Sequence, residues 1–312
     1  MNAVRQTTLG DDVTLSGVGV HSGKMAQMHL SPAEADSGIV FFRKDTNQSV
    51  RACRGAVRGS DLATVLRDSN GPAVSTVEHL LACFAGLGVD NARVEIDGPE
   101  VPILDGSAGD FVAAVDEAGI VETGHARRYL RVLKPIRVET ETGFGELVPY
   151  DMGFRLEVEI DFDHAAIGRQ RFAATMSPEV FRKELAAART FGFVSDVERL
   201  WQAGYALGAS LDNTICLGDE GVINTTGLRY ADEFVRHKAL DAIGDLAIGG
   251  LPLLARYRSY RGGHKLNFAV VDALLSDRSA YEIVEARIPA RRTVSSNAGL
   301  IAVAVPAYAP EL

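Results

Sequence analysis

Arg236-His237-Lys238-Ala239-Leu240-Asp241-Ala242-Ile243-Gly244-Asp245-Leu246 reads as a helix carrying ionisable groups where a core helix carries only Leu and Ala. His237, Asp241 and Asp245 stand four residues apart, which sets them along one helical face, successive side chains about 40° apart. Ala239, Leu240, Ala242, Ile243 and Leu246 make much of the remaining surface apolar. A polar line on an apolar helix must face something that satisfies it: a metal, a substrate or another charged residue.

A second stretch echoes the first. Ser75-Thr76-Val77-Glu78-His79 opens a helix that runs on through Leu80-Leu81-Ala82-Cys83-Phe84-Ala85 and stops at Gly86 and Gly88. Placing His79 on His237 sets Gly86 on Gly244, and a strand follows in each case, residues 89–97 and 253–260. Val94 and Ile96 alternate with Arg93 and Glu95 in the first of these strands. Cys83 then takes the place of Asp241, so only the second copy keeps a His-x-x-x-Asp pair. Each half runs strands, helix, strand, helix; either one His and one Gly agree by chance, or the chain is a duplicated α+β fold whose two helices would bring His79 to His237 and Asp241.

Working outward, residues 13–30 turn like a hairpin at Gly17, Gly19 and Gly23, and residues 39–43 read as a strand. A turn at residues 104–107 feeds a helix over 110–118. The polar, basic stretch 122–128 sets the domain boundary, giving domains 1–124 and 125–312. In the second, residues 130–138 and 155–162 are strands, 178–188 a helix, and Ser195 with Glu198 a capping box for a helix through Tyr205. A short strand over 214–217 and a last helix over 266–275 complete the reading.

The 312 residues give room for two ordinary domains, and 46% hydrophobic content with a mean hydropathy of +0.04 suits a soluble globular protein. A net charge of −9 and a pI near 5.3 argue against nucleic-acid binding, while a local basic pocket for a phosphorylated small molecule stays open. Cys53, Cys83 and Cys216 are few, widely spaced and form no CxxC, so neither a disulfide framework nor a zinc-thiolate knuckle is indicated. Residues 1–10 lack a signal-peptide core, and the apolar stretch 298–309 is too short, and too broken by Pro306, to span a bilayer. The expected location is the cytoplasm.

His237 and Asp241 have the spacing and chemistry of two zinc ligands, although an i,i+4 His/Asp pair is more often a simple ion pair. A catalytic zinc takes three protein ligands, an open position for water and a carboxylate nearby to accept the water's proton. His79 supplies the third ligand and Glu78 that base. No His-Glu-x-x-His or His-x-x-Glu-His occurs, which argues against a peptidase of either type. His264 follows two glycines that leave it unshielded, as suits a site residue or an exposed loop histidine. Asp245 is placed to hydrogen-bond it and raise its pKa, or only to pair with a surface arginine. Lys238 is either a phosphate contact or solvated. Thr190, among Phe191, Gly192 and Phe193, offers a hydroxyl beside an apolar groove or is ordinary core.

Together these stretches are far more specific than any one. Ser75 to Leu80, Leu104-Asp105-Gly106-Ser107-Ala108, Phe234 to Leu246 and Gly263-His264-Lys265-Leu266-Asn267 closely resemble the zinc-dependent UDP-3-O-acyl-N-acetylglucosamine deacetylases, which commit a precursor to lipid A synthesis in Gram-negative bacteria. Gly17-Val18-Gly19-Val20-His21-Ser22-Gly23-Lys24 looks like that family too, and the resemblance runs from about Gln6 to Asp272. It implies two related domains, each a β-sheet layer with two helices, the helices packed between the sheets. It implies Zn2+ on His79, His237 and Asp241, Glu78 as general base, His264 as its acidic or electrostatic partner with Asp245 behind it, and Thr190 at the oxyanion. Lys238 falls at the nucleotide-sugar end of a UDP-linked acylated amino sugar, with Phe191, Phe193 and Leu62 also at the substrate. An insert over 190–217 walls an acyl-chain passage. Ala209 stands where the family usually has glycine, and its methyl is expected to narrow that passage.

Overall fold

In the computed structural model, residues 4–69 and 71–286 are described. Alternation of apolar and polar residues builds two sheets of the same design. In the first half, hairpin Val13–Val18/Met25–Pro32 and hairpin Ile39–Arg43/Gln48–Arg51 flank a central strand, Ala92–Ile96, antiparallel to Met25–Pro32 and parallel to Ile39–Arg43. In the second half, hairpins Ile136–Glu139/Phe144–Pro149 and Phe154–Asp161/Arg169–Thr175 flank Leu253–Tyr260 with the same two senses. Arg128–Val132 and Tyr281–Glu285 extend the second sheet to seven strands.

Two long helices complete each half. Helix α1 (Glu78–Leu87) precedes the first central strand and α2 (Gly109–Ala118) follows it. A one-turn helix α3 (Pro178–Val180) and the insert helix α4 (Val194–Gln202) intervene. Then α5 (Glu233–Ala247) and α6 (His264–Ser276) bracket Leu253–Tyr260 as α1 and α2 bracket Ala92–Ile96. The duplication expected from His79 and His237 is thus written in strand order, strand sense and helix position alike.

Helices α1 and α5 are the centre of the molecule. Leu80, Leu81, Ala82 and Phe84 of α1 and Phe234, Leu240, Ala242 and Leu246 of α5 are all buried. Each such leucine or phenylalanine contributes roughly 1.5–3 kcal/mol if it is fully removed from water. Gly244 lets the two helices touch: a Cβ there would sit 2.0 Å from the Glu78 carbonyl oxygen. Gly86 in α1 faces a different neighbour, the Phe181 ring, which a Cβ there would meet at 2.3 Å. Gly86 is no stop signal. The helix ends only at Gly88, whose φ of +84° supplies the left-handed cap.

Several local expectations need correction. The boundary proposed within residues 122–128 falls at the end of a strand, Ile120–Ala126, that runs antiparallel to Arg5–Leu9. The stretch 178–188 is α3 followed by a π-helical turn, Phe181–Leu185, rather than one helix. Helix α4 begins at Val194, which carries Ser195 inside the first turn, and no side chain caps it. The capping box therefore does not form. The last helix begins at His264 itself, with Gly263 at its cap position. Residues 130–138 make two strands rather than one. Among the described residues, no helix is long and apolar enough to cross a membrane, and 298–309 lie outside them.

Candidate metal centre

His79 stands in the first turn of α1, and His237 and Asp241 share one face of α5, so the contact between the two helices gathers them. Their ligand atoms all lie within 4.8 Å of one another, and all three residues are buried. Nε2 of His79 is 3.5 Å and Nε2 of His237 is 3.3 Å from Oδ1 of Asp241. The imidazole rings meet edge to face, centroids 5.0 Å apart. Asp241 Oδ1 is buried with no hydrogen-bond partner. An orphaned carboxylate oxygen facing two imidazole nitrogens is costly unless a cation completes it.

The surroundings prepare these groups as ligands. His237 Nδ1 lies 3.1 Å from the Ala188 carbonyl, which fixes the proton on Nδ1 and leaves Nε2 with its lone pair toward the cluster. Burial lowers its pKa to about 3, against the pull of Asp241, so the ring is neutral and ready to coordinate. Asp241 is well below the usual carboxylate range: burial alone would raise it, but His237, Lys238 and His264 outweigh that. Lys238 Nζ donates to its other oxygen at 2.9 Å. Two imidazoles and a carboxylate make a donor set that fits a divalent metal.

Opposite this group stand Glu78 and His264. His264 Nε2 lies 3.8 Å from Glu78 Oε1 and 3.9 Å from Asp241 Oδ2. Burial raises the Glu78 pKa, as suits a base that must take up a proton. For His264, burial works against the charged ring, but Asp245, Asp241 and Glu78 outweigh it and raise the pKa to about 10. The expected bond to Asp245 is present, Nδ1 to Oδ2 at 2.9 Å. Far from being unshielded, the His264 side chain is only 10% exposed.

The remaining named residues spread outward from here. Phe191 packs edge-on to Phe234 and His237, centroids 5.1 and 6.3 Å away, and Lys238 Nζ lies 5.5 Å over its ring. Phe193 and Phe191 both meet Phe162. Thr190 is held by its backbone, its N–H donating to the Gly106 carbonyl at 2.8 Å and its carbonyl accepting from Ile215. Leu62 and Ala209 are both exposed. Next to Ala209, Gly208 is the crowded position, since a Cβ there would meet the Gly19 carbonyl at 2.3 Å. The insert is a small sheet, Phe191–Phe193, Ile215–Gly218 and Gly221–Val222, with α4 against it.

Sequence reasoning passed over several supporting residues. Thr64 donates through Oγ1 to Asp245 at 2.7 Å and through its backbone N–H to Glu78 Oε2 at 3.0 Å. Asn267 Nδ2 donates to Asp245 at 2.8 Å, and Tyr257 OH donates to Asn267. Glu100 accepts the backbone N–H groups of His21 and Ser22 and the hydroxyl of Thr76. Asn267 and His21 lay inside quoted motifs, which was the available signal; Thr64 had none.

A His-His-carboxylate group on a duplicated α+β frame, faced by a buried carboxyl and a buried imidazole, is compatible with the site of a metal-dependent hydrolase. Comparison with known sequences is more particular. The LpxC family, UDP-3-O-acyl N-acetylglycosamine deacetylase, matches residues 6–276, and the chain belongs to it. The UDP-3-O-acyl-N-acetylglucosamine deacetylases of Brucella ovis and Brucella canis are each 55% identical over 289 residues, 92% of this chain and 100% of theirs. The protein of that name from Brucella melitensis biotype 2 is 54% identical over the same length and the same shares.

Proposed function

We propose that the chain hydrolyses the N-acetyl group of UDP-3-O-(3-hydroxyacyl)-N-acetylglucosamine, releasing acetate and the 2-amino sugar nucleotide, the committed step of lipid A synthesis. The observation that carries this is the meeting of the metal group with Glu78 and His264 on a chain whose family match spans residues 6–276. Zinc held by His79, His237 and Asp241 would supply a Lewis acid for the acetamide carbonyl and acidify a water. Glu78 takes the proton of the attacking water. His264, protonated and held by Asp245, gives a proton to the nitrogen as the C–N bond breaks. Thr190 is assigned to the oxyanion, beside the carbonyl of Ala188 that orients His237.

The substrate side follows from charge and exposure. Lys238, paired with Asp241 and over Phe191, is assigned to the sugar-nucleotide end. An acyl chain is suited to the insert, where Trp201, Tyr205, Leu207 and Leu211 are exposed and Leu62 is exposed too. Acetate release from the acylated UDP-sugar, measured with bound metal, tests the reading. Wild type is expected to release acetate with about one zinc per chain, Glu78→Ala to keep the metal and lose the rate, and His237→Ala to lose both. Zinc-loaded wild type that releases no acetate would overturn it.

A further inference from the structure

The far ends of α1 and α5 line a cavity of about 550 Å³ that shares no residue with the metal group, Glu78 or His264. That is within the range of small-molecule sites. Its floor is apolar, formed by Leu81, Phe84 and Leu87 of α1, Ile243 and Leu246 of α5, and Leu251. One wall is cationic: Arg51, Arg127 and Arg128 line it against a single acid, Asp90. Asp90 is already paired with Arg127 at 2.9 Å. The other two arginines converge on Asp36, Arg51 through its backbone carbonyl at 3.0 Å and Arg128 through its carboxylate. Arg128 Nε is buried and has no hydrogen-bond partner.

A guanidinium N–H shut away from water without an acceptor is costly, and an anionic oxygen is its best partner. A leucine and phenylalanine floor asks for an alkyl chain. A nucleotide would leave that floor unused, and a neutral hydrocarbon would leave the arginines unused. We propose that this cleft binds a single-chain amphiphile with an anionic head, an alkyl carboxylate or alkyl phosphate, chain against α1 and α5 and head at Arg51 and Arg128.

Photo-reactive dodecanoate and dodecyl phosphate, with a dodecyltrimethylammonium analogue as charge control, test this on the full metal-loaded chain, with labelled peptides mapped by mass spectrometry. Either anion is expected to label peptides within 81–88 and 243–254, and the stronger of the two identifies the head group. Arg51→Ala with Arg128→Ala is expected to reduce that labelling at least tenfold. Ala247→Trp, which fills the cleft, is expected to abolish it, and both variants keep the wild-type acetate-release rate. Labelling confined to the insert at 190–217, equal labelling by the cation, or indifference to the arginine substitutions would overturn the proposal. So would labelling that appears only when the chain is ended after Ala286, whose N–H donates to the Arg127 carbonyl beside the cleft.

Discussion

Asp245 lies outside the metal group, yet Thr64, Asn267 and His264 all bond to it. Asp245→Asn keeps the shape but removes the charge that holds the His264 proton and sets an amide against the Asn267 donor. A loss of about 10- to 100-fold in kcat is expected, KM little changed. The alkaline limb of the pH–rate profile moves to lower pH; an unmoved limb would show that Asp245 does not set the His264 proton. The same ring gives a stability prediction for metal-free protein. Its folded pKa of about 10 lies above the ordinary 6.5, so its contribution is complete below 6.5 and lost as pH rises through about 10. Denaturant midpoints of metal-free protein therefore fall between pH 7 and 10, and less steeply in His264→Gln; equal slopes would contradict the assignment.

At the scale of elements, the approach of α5 to α1 depends on Gly244. A methyl 2.0 Å from the Glu78 carbonyl oxygen cannot be absorbed by a side-chain rotation, so the helices must part. Gly244→Ala is expected to lose about 1–3 kcal/mol and to weaken metal binding with it; denaturant melts and zinc titration measure the two. Glu233, in the first turn of α5, forms a buried pair with Arg189 at 2.9 Å and also accepts the Arg189 backbone N–H. That pair anchors the segment whose Ala188 carbonyl orients His237 and whose next residue is Thr190. Glu233→Gln leaves the guanidinium without its charge partner, at a cost of about 3–5 kcal/mol, and kcat falls with stability. A melt equal to wild type would remove the anchor role.

For the whole molecule, the ligands come one from the first half and two from the second, so a bound metal stabilises the closed arrangement. Zinc at a hundred times its dissociation constant is expected to raise unfolding free energy by about 2.7 kcal/mol, read as a melting shift that His79→Ala abolishes. The central strands and the meeting of α1 with α5 were legible because helical and strand periods are local and two histidines marked the same position in each half. The capping box at Ser195 was misread and the strand over 120–126 went unseen, because a one-residue shift of a helix start and a strand partner over a hundred residues away leave no local trace. Thr64 and Glu100 were invisible for a related reason: a buried polar residue looks like any loop residue until its partner is found. Division of the ligands has one more consequence. Metal occupancy and the spacing of α1 and α5 are thermodynamically linked, so whatever pries those helices apart must weaken zinc by the same factor that zinc resists it. The metal thereby doubles as a gauge: its dissociation constant, measured across variants far from the chemistry, reads out how firmly the two halves are shut.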